Sequence, residues 1–200
     1  MMMNGYNLLK ENKNLVNFCY DKNFFTDEEI KKINTIYDNQ KHIDGTIGNG
    51  RIDHSIRNSK IAKIALNNET KFIYDKLVTF IKHVNNQIWN FNITNIIDLI
   101  QIAEYNGDSN TEEQGHYDWH VDIGTDYRSA RKISISLQLS DETEYEGGDL
   151  ELMLGNKIEK MTREKGSIIC FPSYIVHRVN KVTKGQRKSL VIWIHGPPFV

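Results

Sequence analysis

Two histidine–x–aspartate pairs stand back to back in the stretch GHYDWHVDIGTD, residues 115–126: His116 with Asp118, and His120 with Asp122. In an extended strand, side chains two apart project from the same face, so either pair offers an imidazole and a carboxylate together. These are ligands for a catalytic metal. Two neutral imidazoles and one carboxylate on one face of an octahedral ion leave the other positions open for reactants. One strand would supply two such ligands, and a distant segment must bring the third. The histidines are at 42, 54, 83, 116, 120, 177 and 195. His177 opens a β-rich segment just after FPSYIV and is the natural third ligand. His42 and His54 fall in a polar loop and His83 on a helix. His195, beside Gly196-Pro197-Pro198, fits a surface position.

Arg187 is the second residue with chemical promise. It enters a strand whose same face carries Ser189, Val191 and Trp193, out of keeping with a simple core strand. A guanidinium there either anchors an anion through paired hydrogen bonds or turns outward to meet a surface acid. Spacing alone leaves both readings open.

The elements that must position these groups differ between the two halves of the chain. The first 95 residues read as mainly helical. TDEE, from Thr26 to Glu29, is a capping box, and Ile30, Ile33, Ile36 and Tyr37 continue it as a helical stripe. A stronger helix runs from about Thr70 to Trp89, with Ile73, Leu77, Phe80, Ile81, Val84 and Ile88 at helical spacing. After residue 95 the pattern changes to short strands separated by turn signals. KISISLQLS, 132–140, alternates: Ile133, Ile135, Leu137 and Leu139 share one face, and Ser134, Ser136 and Gln138 the other. A Gly-Gly turn precedes the strand in EGGDLELML, GSIICFPS reads as a buried strand ending at Pro172, and TKGQ reads as a turn before the last strand. Helices followed by some seven strands predict an α+β domain whose sheets form a sandwich or barrel.

The totals bound the partners. With 25 basic and 26 acidic residues the net charge is −1, which argues against a nucleic-acid binder. The start, MMMNGYNLLKENKN, lacks the apolar core of a signal peptide, and no run approaches a membrane span, so a cytoplasmic location is expected. Cys19 and Cys170, far apart in sequence, read as two reduced thiols.

The ordered set HYDWHVD, RKISISLQLS, YEGGDLEL and KGSIICFPSYIVHRVNKVTKGQRKSLVIW resembles the Fe(II)/2-oxoglutarate-dependent dioxygenases of the prolyl 4-hydroxylase type, especially the small PKHD-type hydroxylases. The resemblance covers roughly residues 97–198, and extends more weakly to IRNSKI at 56–61. It implies a double-stranded β-helix (jelly roll) with the N-terminal helices packed on one sheet. The whole chain, 1–200, is then one domain, with 1–95 as mainly helical support and 96–198 as the catalytic core. The family's iron ligands fall on His120, Asp122 and His177, and its 2-oxoglutarate carboxylate partner on Arg187. Tyr105, Tyr117 and Trp193 match aromatic positions around the co-substrate, while Gln138 stands where relatives place a tyrosine. The YDW lead-in favours His120 and Asp122 over His116 and Asp118, which become loop residues or groups that orient the ligands. Arg57, near the site mouth in relatives, reads as a surface cation.

The resemblance further implies Fe(II) as metal, 2-oxoglutarate and O₂ as co-substrates, and ascorbate as the reductant that restores Fe(II). The reaction it implies is hydroxylation of a side chain, foremost a prolyl residue of a protein or peptide, with release of succinate and CO₂. The oligomeric state is left open. Two other readings remain: a non-catalytic metal-binding jelly-roll module, and a Zn(II) hydrolase, for which no general base is placed.

Overall fold

The structure, a computed structural model, describes residues 16–48, 50–108 and 114–199. The described chain starts with a three-residue strand, β1 (Cys19–Asp21), before the capping box opens α1 (Asp27–Asp38). Thr26 Oγ1 accepts from the Glu29 amide at 3.2 Å, and Glu29 Oε2 accepts from the Thr26 amide at 2.8 Å. The first orphan amides of the helix are thereby satisfied. Three short strands follow, β2 (Ile43–Asp44), β3 (Arg57–Asn58) and β4 (Lys60–Ile64), then α2 (Lys71–Gln87). Lys76 of α2 reaches Glu29 of α1 at 2.7 Å.

The second half is all strand apart from a single 3₁₀ turn, Tyr127–Ala130. In order come β5 (Ile100–Gly107), β6 (His116–His120), β7 (Arg131–Gln138), β8 (Tyr145–Gly147), β9 (Leu150–Leu154), β10 (Lys157–Lys160), β11 (Ile168–Pro172), β12 (Val176–Val179) and β13 (Val182–His195). The larger sheet runs β1-β11-β7-β13-β5-β4-β2, with β8 added to β13. The smaller runs β10-β9-β12-β6-β3, and all the pairings are antiparallel. One buried apolar cluster draws on Ile33 of α1, Leu77 of α2, and Ile102, Ile135 and Ile192 of the larger sheet. The opposite face of that sheet carries Ser134, Ser136, Gln138 and Ser189, all buried as well. This polar, water-excluded face is where the site lies.

Two expectations need correction. Among the described residues up to 95, helix does not dominate: besides α1 and α2 they contribute β1 to β4, which extend both sheets. Strands of two to five residues carry too little local pattern to be read, because nonlocal pairing stabilises them. Next, TKGQ is not a turn. β13 runs through it, and the chain reverses at Asn180-Lys181 between β12 and β13. Gly185 takes φ +74°, where a side chain would strike the Glu144 carbonyl, and β13 bulges against β8 just before it, between Val182 and Lys184. Cys19 and Cys170, remote in sequence, are both free thiols, as expected, and face each other in register across β1 and β11.

Candidate active site

β6 and β12 are neighbours in the smaller sheet, and their register sets His120 opposite His177. The two rings lie 4.2 Å apart, centroid to centroid. β6 ends at His120, and the chain then folds over so that the Asp122 and Ile123 amides donate to the Ser173 carbonyl at 3.1 and 3.2 Å. That turn brings the Asp122 carboxylate between the imidazoles: 3.7 Å from His120 Nε2 and 3.4 Å from His177 Nε2. One ligand atom from each of the three lies within 4.8 Å of the others, and no other such group occurs among the described residues.

Each imidazole is oriented through its other nitrogen. His120 Nδ1 sits 2.7 Å from the Asp118 carbonyl, and His177 Nδ1 2.9 Å from the Ile175 carbonyl. A carbonyl can only accept, so both Nδ1 atoms carry the proton and both Nε2 lone pairs face inward, as metal ligation needs. Burial and the facing His177 push the His120 pKa down to about 3, so its ring is neutral near pH 7. Burial works against the Asp122 charge, yet His177, His120 and the Ser134 hydroxyl hold its carboxyl down at about 2. Ser134 Oγ donates to Asp122 Oδ2 at 2.6 Å and lies 3.0 Å from Ser173 Oγ. Two imidazoles and one carboxylate, ready and shielded, suit Fe(II) with open positions.

The residues expected around this centre fall as follows. Arg187 is 1% exposed, on the polar face of the larger sheet. Its Nη2 donates to Gln138 Oε1 at 3.1 Å, its Nη1 to Ser189 Oγ at 3.3 Å, and its Nε has no partner. Tyr105 packs 5.5 Å from the guanidinium, and Tyr117 stacks on His120 at 3.6 Å. Burial pushes the Tyr117 pKa up to about 12. Trp193, together with Tyr105, Tyr117, His120, Asp122 and His177, lines a small inner cavity. That cavity adjoins a cleft of about 840 Å³ opening to solvent.

Two residues lie where the sequence did not put them. Arg57 is buried, donating to Ser59 Oγ and the Thr46 carbonyl at 3.0 Å each, with its guanidinium 4.6 Å over the Tyr117 ring. It is part of the cleft wall, not a surface cation. His195 is 1% exposed and 3.2 Å from Asp98. As for the other His-x-Asp pair, His116 is in β6, not a loop, and both ring nitrogens face carbonyls, of Gln114 at 2.8 Å and Ser55 at 3.1 Å. Asp118 is exposed and contributes its carbonyl to His120, while its carboxylate accepts from the Trp119 amide.

Asp98 and Arg131 were not legible in advance. Arg131 Nε and Nη2 donate to Asp98 Oδ2 at 3.0 and 2.7 Å, and Nη1 donates to the Asp122 carbonyl at 3.2 Å. The same guanidinium lies 3.8 Å over the Trp193 ring. One buried pair thus fixes both a ligand residue and the cavity wall. The only signal in sequence was a basic residue leading into the alternating strand.

Comparison with known proteins agrees with this arrangement. Residues 100–195 match the family model of the 2OG-Fe(II) oxygenase superfamily. A PKHD-type hydroxylase of Synechococcus sp. (strain CC9311) is 41% identical over 86 residues, 43% of this chain. The match spans 39% of the length of that relative. Among solved structures, a Trichoplax adhaerens prolyl hydroxylase in complex with a hypoxia inducible factor oxygen degradation domain peptide fragment superposes with a TM-score of 0.75 at 21% identity. It covers 90% of this chain and 84% of that one. A Pseudomonas putida prolyl-4-hydroxylase gives 0.70 at 17% identity, covering 90% and 92%. These likenesses identify the two sheets as the jelly roll of the 2OG oxygenases.

Proposed function

We propose that the chain is an Fe(II)- and 2-oxoglutarate-dependent dioxygenase that hydroxylates a side chain, foremost a prolyl residue of a protein or peptide. His120, Asp122 and His177 are its metal ligands, and Arg187 holds the distal carboxylate of 2-oxoglutarate, with Tyr105, Tyr117, Gln138 and Trp193 around it. Fe(II), when bound, activates O₂ for C–H hydroxylation as 2-oxoglutarate goes to succinate and CO₂, and ascorbate returns stray Fe(III) to Fe(II). The helices α1 and α2 support the larger sheet, and 96–198 form the catalytic core of a single domain. No helix among the described residues is long and apolar enough to cross a membrane, and a cytoplasmic location is part of the proposal.

The observation that carries this reading is Arg187. It is buried, its described partners are a neutral amide and a hydroxyl, and its Nε is open. A buried guanidinium without an anion is costly, and a dicarboxylate co-substrate would supply the anion. A bare metal-binding module has no use for it. The prolyl target is supported by the hydroxylases to which the chain is similar. The test is mass spectrometry on proline-containing peptides incubated with the protein, Fe(II), 2-oxoglutarate and ascorbate. A gain of one oxygen on proline is expected. Oxygen on another residue would keep the reaction and replace the substrate, whereas no oxygen in any peptide would remove the prolyl assignment.

A further inference from the structure

Gln101 stands where the outer cleft meets the inner cavity and lines both. Its Oε1 is buried without a hydrogen-bond partner, as is the indole Nε1–H of Trp193, which lines the same two spaces. Open polar atoms in a buried site are rare in folded proteins and mark places that a ligand completes. Here they are one acceptor and one donor.

Strand register shows which part of the site they serve. Tyr105 is paired with Arg187 across β5 and β13, whereas Gln101 is paired with Val191 and, beyond it, Ser136. Four residues of β5 separate Gln101 from Tyr105, about 13 Å along the strand. The next inward-facing row holds Trp193 and Ser134, the hydroxyl bonded to Asp122. Gln101 therefore belongs to the ligand-cluster end of the floor, on the side open to the cleft, and not to the Arg187 end. Two of the charged side chains around this entrance are already paired. Arg128 makes two 2.8 Å bonds to Asp126, and Arg131 is spent on Asp98. Arg57 is tied to Ser59, the Thr46 carbonyl and the Tyr117 ring, and Lys63 is exposed on the cleft wall. The buried polar atoms left open where the two spaces meet are a pair of neutral dipoles.

We infer that Gln101 and Trp193 read the main-chain amide that follows the target residue of a peptide substrate: Gln101 Oε1 accepts the amide N–H, and Trp193 Nε1 donates to the carbonyl oxygen. A secondary amide offers one donor and one acceptor, matching the two open atoms. A prolyl residue has no N–H of its own, so the following peptide bond is the one available. This inference rests on the hydroxylase reading and adds a specificity determinant to it.

The test uses blocked tripeptides, acetyl-Gly-Xaa-Gly-amide, with each proteinogenic residue as Xaa. They are incubated with the full chain, Fe(II), 2-oxoglutarate and ascorbate, and oxygen incorporation is read by mass. The best member is then compared with its depsipeptide, in which an ester replaces the amide after Xaa, in wild type and in Gln101→Met. In wild type the ester should raise the apparent peptide KM about tenfold, the effect of leaving one buried acceptor unpaired. Gln101→Met should raise KM for the amide peptide by a similar factor and show no ester penalty, with the apparent KM for 2-oxoglutarate unmoved. Equal KM for ester and amide in wild type, or an ester penalty undiminished in Gln101→Met, overturns the assignment. So does a set with no oxygenated member while O₂-dependent decarboxylation of 2-oxoglutarate proceeds. Absence of both 2-oxoglutarate binding and decarboxylation would overturn the hydroxylase reading, and this inference with it.

Discussion

Arg187 donates to the Gln138 side-chain oxygen at 3.1 Å, so this fully buried cation on the polar face of the larger sheet is met by a neutral amide where an acid would ordinarily stand. The amide orients the guanidinium without neutralising it. Arg187→Ala should therefore raise the apparent KM for 2-oxoglutarate roughly tenfold or more, the worth of a charge-assisted pair. Arg187→Lys should recover part of the loss, since the charge survives and the fork does not. Steady-state succinate formation against 2-oxoglutarate concentration measures both. An unchanged KM in the alanine variant would separate Arg187 from the co-substrate.

The tandem motif gives a second contrast. His120 offers its Nε2 to the ligand cluster, whereas His116 is tied at both nitrogens to main-chain carbonyls. His120→Ala should abolish iron-dependent succinate formation, and His116→Ala should leave most of it, with both variants checked for folding by circular dichroism. A dead His116→Ala beside an active His120→Ala would reverse the ligand assignment.

The Asp98–Arg131 pair joins stability to the metal centre. Both side chains are nearly buried, and removing one partner strands the other charge. Asp98→Asn should lower unfolding stability by about 3–5 kcal/mol at neutral pH and weaken Fe(II) binding, because Arg131 also holds the Asp122 carbonyl. Burial raises the Asp98 pKa, but His195 and Arg131 outweigh it and hold the carboxyl below its ordinary value. A carboxyl with a lowered folded pKa adds stability above its unfolded pKa, about 3.9. That stability disappears as the pH falls through the folded value. Wild type and Asp98→Asn should therefore converge in stability as the pH falls below that range. Urea unfolding across pH reads this, and a constant gap between them would remove the pair from the stability account.

Metal substitution separates the oxygenase reading from the hydrolase reading. Two imidazoles and a carboxylate bind several divalent ions, and Zn(II) has no redox chemistry. Added Zn(II) should inhibit succinate formation by competing with Fe(II). Zn(II)-supported turnover would point instead to a hydrolase.

How much of this was legible depended on whether the signal was local. The α1 capping box, the α2 stripe and the alternation in 132–140 are written in consecutive residues, and the elements form where they read. That His120, Asp122 and His177 come together was legible because two of them stand two residues apart, the YDW lead-in of the resembled family favoured that pair over His116 and Asp118, and the third histidine follows a strand end. The strands β2 and β3 were missed, since two residues carry no period and are made by their partners. His195 was misplaced for a related reason. Its Gly-Pro-Pro neighbours suggest a surface, but Asp98, 97 positions earlier, folds against it. Arg57 and Gln101 likewise gained their roles from cross-strand register, with Tyr117 and Val191 respectively, which a single sequence does not display.

The most direct test of the central claim is decarboxylation of 2-oxoglutarate by the purified chain with Fe(II), followed as succinate, under air and under nitrogen. The account predicts succinate under air, slow without the true substrate, none under nitrogen, and none in Asp122→Ala. Succinate formed equally without O₂ would contradict it.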